Sequence, residues 1–508
     1  MQRVEQSLKN TVVSVGIQLG TILLNFISRT VLIETMGEQY LGINGLFTNI
    51  LSMLSLVEMG VGSALIYLMY KPMGDKDEKR LHLLMGAYAK IYTTIGLIIL
   101  GLGVSLTPFL DFFMKESPDI QHLRVIYVLY ILNMAVTYFF SYRAAIINVA
   151  QKNYIVNWIK FKFTVVQYIF QIAILIIYKN YIFYYVCAVV FTVVANWAVY
   201  IRAGKMFPFI KGRSKQGLAQ NEKKEIKKNI SAMFFHKMGT FLVFGTDNLI
   251  ISKFVGIIEV GLYSNYTMLT NALTTAINLV FTSITASVGN LVNQEEGEKS
   301  YSVFKNIFFA NSWIVGFCGV CLYVLFNPFI NLWLGEGYTF DNAIVAVIVL
   351  NFYLSHIRLP ANVFKETAGL FWNDRYKSVI ESIVNIVFSL YLVGELGILG
   401  VFIGTVISTL TVCFWVEPYI LYKHHFKKSL LEYFKMFIQY SVVCLASILF
   451  ICAISNTFTF GTIGDFVFRM ILCVITPNIL FVLLFHKKDE FQYFIGIFFK
   501  VLRKIRKK

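Results

Sequence analysis

Asn25-Phe-Ile-Ser-Arg29-Thr-Val-Leu-Ile-Glu34, then Gly37, then Gly42, then an apolar run reaching Glu58: this stretch decides the fold. Two hydrophobic runs joined by a tight glycine turn, with an arginine sunk in the first, have no place in a soluble domain. The pattern returns where Asp247-Asn-Leu-Ile-Ile-Ser-Lys253 leads to Gly256, the same four-residue gap, Gly261 and another long apolar run. Placing Gly37 on Gly256 and Gly42 on Gly261 aligns the first span with the seventh and the second with the eighth, and sets Thr48 on Thr267. Six spans then separate equivalent elements, which keeps the two copies parallel. Parallel halves are a recurrent transporter architecture with its site near the midplane. A chance match of a common turn spacing is the competing explanation, and agreement in span order favours duplication.

Composition agrees. Hydrophobic residues make up 57% of the 508 and charged residues only 14%, against roughly 25% in soluble proteins. A net charge of +17 would suggest nucleic acid if the basic residues formed one patch, but they sit in short clusters between apolar runs, as at a membrane surface. No nucleic-acid partner is expected. The seven cysteines are odd in number and lie in apolar segments, so they imply no disulfide framework, and Cys318 with Cys321 reads as a packing pair. Met1 to Asn10 is polar and leads into a full-length span, so the first span is read as retained.

A membrane helix needs about 20 apolar residues, and the chain breaks into about fourteen such runs. The expectation is an all-α polytopic membrane protein. It has an N-terminal six-helix lobe over 1–204, a basic cytoplasmic linker over 205–229 and a second six-helix lobe over 230–421. Two further helices occupy 422–486, before a basic tail over 487–508. The second span is expected to run unbroken over 42–69, the seventh over 230–254 and the tenth over 340–363. Alternate connections collect nearly all the lysine and arginine, Lys71, Lys76, Arg80, Lys152, Lys211 and Lys377 among them, while the opposite set holds little besides Lys115 and Lys179. Basic residues stay on the cytoplasmic side, so both termini are expected there.

Ser28-Arg-Thr-Val-Leu32, Gly37-Glu-Gln-Tyr-Leu-Gly42, Glu58-Met-Gly-Val-Gly62 and Thr246-Asp-Asn-Leu-Ile-Ile-Ser252 together resemble the polysaccharide flippases of Wzx type. These belong to the multidrug/oligosaccharidyl-lipid/polysaccharide (MOP) exporter superfamily. The resemblance implies two six-helix lobes related by pseudo-two-fold symmetry around a central cavity, with two C-terminal helices added. It also implies translocation of polyprenyl (undecaprenyl)-diphosphate-linked oligosaccharide repeat units to the outer leaflet of a bacterial plasma membrane. Capsule or exopolysaccharide polymerase and export machinery would be the partners downstream.

Such a substrate asks for cations inside the membrane, where each ionisable group costs several kcal/mol unless paired or hydrated. The spans offer Arg29, Lys90, Arg143, Lys160, Lys162, Lys237 and Arg358. Arginine suits a diphosphate because its planar fork donates two parallel hydrogen bonds. Arg29, Lys90, Arg143 and Arg358 are the substrate candidates, with Glu34 a competing partner for Arg29. Snorkelling to headgroups is the other reading for Arg143, Lys160, Lys162 and Arg358, which lie near cytoplasmic ends. His356, Arg358 and Glu366 around Pro360 read as a solvated gate rim. Asp247, between Thr246 and Asn248, suits coupling to Na+ or H+, or an ion pair with a facing helix; Glu58, Glu381 and Glu417 are secondary candidates, Glu58 the deepest of them. Thr267, Asn271, Thr274 and Asn278 share one helical face, and Asn44, Thr48 and Ser52 form a similar stripe in the other copy. Asn271 and Asn44 are therefore read as cavity-wall substrate contacts, against the alternative of interhelical hydrogen bonding.

No cofactor and no catalytic residue is expected. A membrane glycosyltransferase or polymerase would carry a sizeable outer loop with chemistry in it, and 327–341 offers only Glu336 and Asp341. An ATP-driven exporter would need G-x-x-x-x-G-K-[ST], which the chain lacks. A cation-coupled drug exporter of the same superfamily is the runner-up.

Overall fold

A computed structural model describes residues 2–58, 60–210, 220, 245–294, 297–370, 373–458 and 460–496. Among the described residues, thirteen helices are long and apolar enough to cross a membrane. The seventh expected span, with His236 and Lys237, lies outside them except for 245–254. Most of the basic linker and the last part of the tail do as well. The chain divides into two compact units, Met1–Gly261 and Leu262–Lys508.

The first unit contains α1 (Gln2–Met36), α2 (Glu38–Leu54), α3 (Val61–Gly74), α4 (Glu78–Ser105), α5 (Leu123–Val149), α6 (Asn153–Tyr178) and α7 (Tyr181–Met206). It also includes a short helix, Asp247–Ile250, which runs into a π-turn over Ile251–Val255, and the first residues of α8 (Ile257–Gln294). Between α1 and α2 the chain turns on one residue, Gly37, at φ 85°, a conformation any side chain would resist. The second glycine of each motif then finds its role. A Cβ on Gly42 would stand 2.0 Å from the carbonyl oxygen of Ile257, and one on Gly261 would stand 3.0 Å from that of Glu38. The two glycine turns pack backbone to backbone.

The second span is not continuous, contrary to expectation. α2 stops at Leu54, a 3₁₀ turn covers Ser55–Glu58, and Gly60 is left-handed at φ 88° before α3 begins. Glu58 explains the break: its carboxylate accepts a hydrogen bond from Tyr92 of α4, and a glycine nearby lets the backbone swing to bring it there. Gly62 leaves room for the Tyr88 and Tyr92 hydroxyls. Leu65, Met69, Leu84, Ile99, Ile146 and Ile147 form the core around this point.

In the second unit, α8 continues and is followed by α9 (Glu298–Leu334), α10 (Asn342–Ile357), α11 (Leu359–Thr367), α12 (Lys377–Leu396), α13 (Ile398–Phe426), α14 (Leu430–Ser455) and α15 (Thr462–Phe485). The tenth span is interrupted at Arg358 because Pro360 has no N–H to give the carbonyl of His356. The Asn311 side chain of α9 supplies the missing donor, bonding His356 O at 3.0 Å and Ile357 O at 3.2 Å. α13 contains π-turns at Thr409–Cys413 and Tyr422–Phe426, an irregularity frequent at functional sites. The two added helices α14 and α15 are held to α9 by aromatic packing: Trp313 stacks on Phe481 at 5.6 Å and donates to Asn478 Oδ1 at 2.8 Å.

Candidate functional site

Arg143 lies on α5 and is buried, not extended to headgroups as its position near a span end suggested. Its Nη2 donates to the Tyr200 hydroxyl of α7 at 3.2 Å, and the guanidinium stands 4.3 Å from the centre of that ring and 5.6 Å from that of Tyr142. Two aromatic faces and a phenol oxygen do what lipid headgroups would otherwise do, which turns the side chain inward. Arg29, half-buried on α1, lies beside Tyr184 of α7, whose hydroxyl bonds the neighbouring Ser28. Glu34, the competing partner, is exposed. Lys90 is exposed on α4 and has no ion pair among the described residues; Lys160 and Lys162 are exposed on α6, with Lys162 Nζ 5.7 Å from the Trp158 ring.

In the second unit the charges gather. Arg358, at the α10–α11 joint, approaches Glu417 of α13 (Nη1–Oε1 3.5 Å) and Glu381 of α12 (Nη2–Oε1 4.0 Å). Lys377 reaches Glu417 at 2.5 Å and Asp374 at 3.6 Å, and Lys365 pairs with Asp374. Arg358 is 8% exposed and Glu417 1%. The solvated rim expected here is therefore a network of three cations and three carboxylates, buried except for the half-buried Lys377 and Asp374, and only Glu366 of that expected group is exposed. The backbone break at Pro360 explains the difference: it points Arg358 across to α12 and α13. His356 is also buried, its ring tilted against that of Phe352 with centroids 4.3 Å apart.

Asp247 is buried at the first position of its short helix, with Thr246 and Asn248 half-buried beside it. Along α8 the stripe Thr267, Asn271, Thr274 and Asn278 is exposed or half-exposed, and the hydroxyls along this helix bond its own backbone, Thr275 to Asn271 O at 2.8 Å and Thr282 to Asn278 O at 2.7 Å. On α2, Thr48 bonds Asn44 Oδ1 at 3.4 Å and Ser52 bonds Thr48 O at 2.8 Å. These hydroxyls close their bonds within one helix and do not join two. No group of three or more His, Cys, Asp or Glu converges as a metal site among the described residues.

The profile of the polysaccharide biosynthesis protein family matches residues 7–288, more than half of the chain. The chain belongs to that family. Among solved structures it is similar to a lipid II flippase, MurJ, in an inward closed conformation, with TM-score 0.67 and 14% identity over 94% of this chain and 99% of the other. It is also similar to an inward-facing multidrug resistance MATE family transporter of the MOP superfamily, with TM-score 0.64 and 12% identity over 81% of this chain and 98% of the other. A Vibrio cholerae MATE transporter matches with TM-score 0.57 and 11% identity over 83% and 98%. Among curated proteins nothing matches. Identities this low carry the fold, and the fold is that of the MOP transporters, as the resemblance to Wzx-type flippases implied.

Two in-span arginines are thus satisfied by a neighbouring helix, Arg143 of α5 by Tyr200 of α7 and Arg358 by Glu417 of α13. Sequence reasoning named both arginines, and Glu381 and Glu417 as secondary candidates, but not the pairings: Tyr200 was one of many aromatics, and Lys377 read as a cation of a connection.

Proposed function

We propose that this family member is a flippase for polyprenyl-diphosphate-linked oligosaccharide repeat units, moving them from the cytoplasmic to the outer leaflet by alternating access through the central cavity that the resemblance implies, made cationic by in-span basic residues. One observation carries the reading: the distribution of charge within the spans. In the second unit, three cations and three carboxylates neutralise one another, with Lys377 and Asp374 half-buried and the other four buried. In the first, Arg143 bonds a phenol and Lys90 has no ion pair among the described residues, which leaves cationic charge for a diphosphate. A cation-coupled drug exporter needs carboxylates open to a cationic guest, and Glu381 and Glu417 are already occupied by Arg358 and Lys377. The open polar stripes with Asn44 and Asn271 supply the hydrated wall that a glycan requires, because an amide facing hydrocarbon would be costly. Coupling to Na+ or H+ would act through Asp247, or through Glu58 at the break in the second span.

The test is the sidedness of the lipid-linked oligosaccharide in membranes of cells depleted of the protein. Wild type should clear repeat units from the cytoplasmic leaflet. Arg29→Ala, Lys90→Gln and Arg143→Gln, expressed at normal levels, should each slow clearance by about tenfold or more, the effect of losing one charge-assisted bond to phosphate. An unchanged lipid-linked pool with toxic cations building up inside would replace the flippase with the drug exporter.

A further inference from the structure

A second polar site lies apart from these residues. At one end of the second unit, α9, α14, α15 and the segment before α10 enclose a cavity of about 760 Å³, within the ~300–1,000 Å³ range of small-molecule sites. Its lining is polar although it belongs to membrane helices. Asn331 and Asn456 are exposed at its rim, while Tyr323 and Phe466 contribute aromatic rings. Two side chains in it are unfulfilled. Ser455 is 7% exposed, and its Oγ has no hydrogen-bond partner among the described residues. Arg469 lies about 10 Å into α15, and it too has no hydrogen bond or ion pair there. Asp465, one turn earlier on the same face, accepts from Phe460 N at 2.7 Å and does not close a salt bridge to Arg469. A buried hydroxyl and an in-span arginine left open in this way cost free energy that a ligand would recover.

We infer that this cavity is a binding site for a neutral oligosaccharide. Arg469 and Asp465 cancel in charge, so the lining does not call for a phosphate. Asparagine amides, a hydroxyl, a carboxylate and a guanidinium together offer the mixed donors and acceptors that adjacent sugar hydroxyls match, and two rings offer faces for the sugar's C–H edges. The orientation set by the basic residues puts the cavity on the outer side. A glycan delivered there is retained by a site distinct from the cations proposed to carry the diphosphate.

The experiment is native mass spectrometry of the full chain in phosphatidylcholine nanodiscs. The probe is the neutral oligosaccharide mixture released by mild acid from the host's own surface polysaccharide. Saturable binding is expected, weakened about tenfold or more by Arg469→Gln, the loss of one charged hydrogen bond, and reduced by Asn331→Ala. Ser455→Trp should abolish it by filling the cavity; should that variant not fold, Asn331→Ala on the exposed rim still decides. No saturable binding, or equal binding by all variants, overturns the inference. So does displacement of the sugar by added phosphatidylglycerol at Arg469, which would make the cavity a headgroup seat. Repeat-unit flipping measured on the same variants separates the two proposals, since binding without flipping sinks only the transport reading and flipping without binding sinks only this one.

Discussion

Glu417 stands inside a membrane helix at 1% exposure, with Lys377 at 2.5 Å and Arg358 at 3.5 Å. A buried pair of this kind gives little net stability, because desolvation of both ions offsets their attraction, but removing one member strands the other, at a cost of about 3–5 kcal/mol. Glu417→Gln should therefore lower the unfolding midpoint of the detergent-solubilised protein sharply. Glu417→Met combined with Arg358→Met should recover most of that loss. A double variant no more stable than the single would show that the charge stranded by losing Glu417 is Lys377, its nearer partner, and not Arg358. The individual charges were visible in the sequence, Arg358, Glu381 and Glu417 each by its place in an apolar run. Their meeting was not, because helical spacing reports faces of one helix and says nothing about which helices face one another. The inward turn of Arg143 was hidden for the same reason: its partner, Tyr200, lies two helices further on.

Helix entry and exit follow from a few small residues. At Gly42 an added methyl would meet backbone, the carbonyl oxygen of Ile257 at 2.0 Å, and no rotamer change relieves that contact. Gly42→Ala is expected to destabilise the first unit by ~1–3 kcal/mol through overpacking. Gly37→Ala should cost about 1–2 kcal/mol through its left-handed φ alone. Gly16→Ala serves as the control, since nothing lies within 4 Å of its Cβ position and a helical glycine gains from the change. Midpoints ordered Gly16→Ala, wild type, then the two turn variants would confirm the close approach; a neutral Gly42→Ala would refute it. This turn was legible in the sequence because its signal is local: two glycines at fixed spacing between apolar runs, occurring twice. The break at Glu58 was not, since one carboxylate and two glycines inside a long apolar run differ little from an uninterrupted helix until Tyr92 is known to reach the carboxylate. Pro360 was visible, but the donor that repairs its helix, Asn311, comes from another span.

For the whole molecule, the ends of the helices must alternate between two aqueous phases, and the basic residues say which phase is which. α6 separates Lys152 from Lys179; its 26 residues extend roughly 39 Å, enough to cross a hydrocarbon core of about 30 Å. In a background with its cysteines replaced, Lys179→Cys should react with a membrane-impermeant maleimide on intact cells, and Lys152→Cys only after permeabilisation. The reverse pattern would overturn the positive-inside orientation and move the polar cavity of α9, α14 and α15 to the cytoplasmic side. Asn331→Cys, at the far end of α9, tests the one crossing that falls mostly outside the described residues. From Lys179 to Asn331 the chain crosses through α7, α8 and α9, and once more if 230–254 is a span. An even number returns Asn331 to the side of Lys179, so both cysteines should label from outside. Labelling of Asn331→Cys only after permeabilisation would mean three crossings, and with three the glycine motifs at Gly37 and Gly256 would sit in inverted copies. The parallel repeat, the side of the polar cavity and the count of fourteen spans therefore stand or fall on whether that one cysteine reacts from outside.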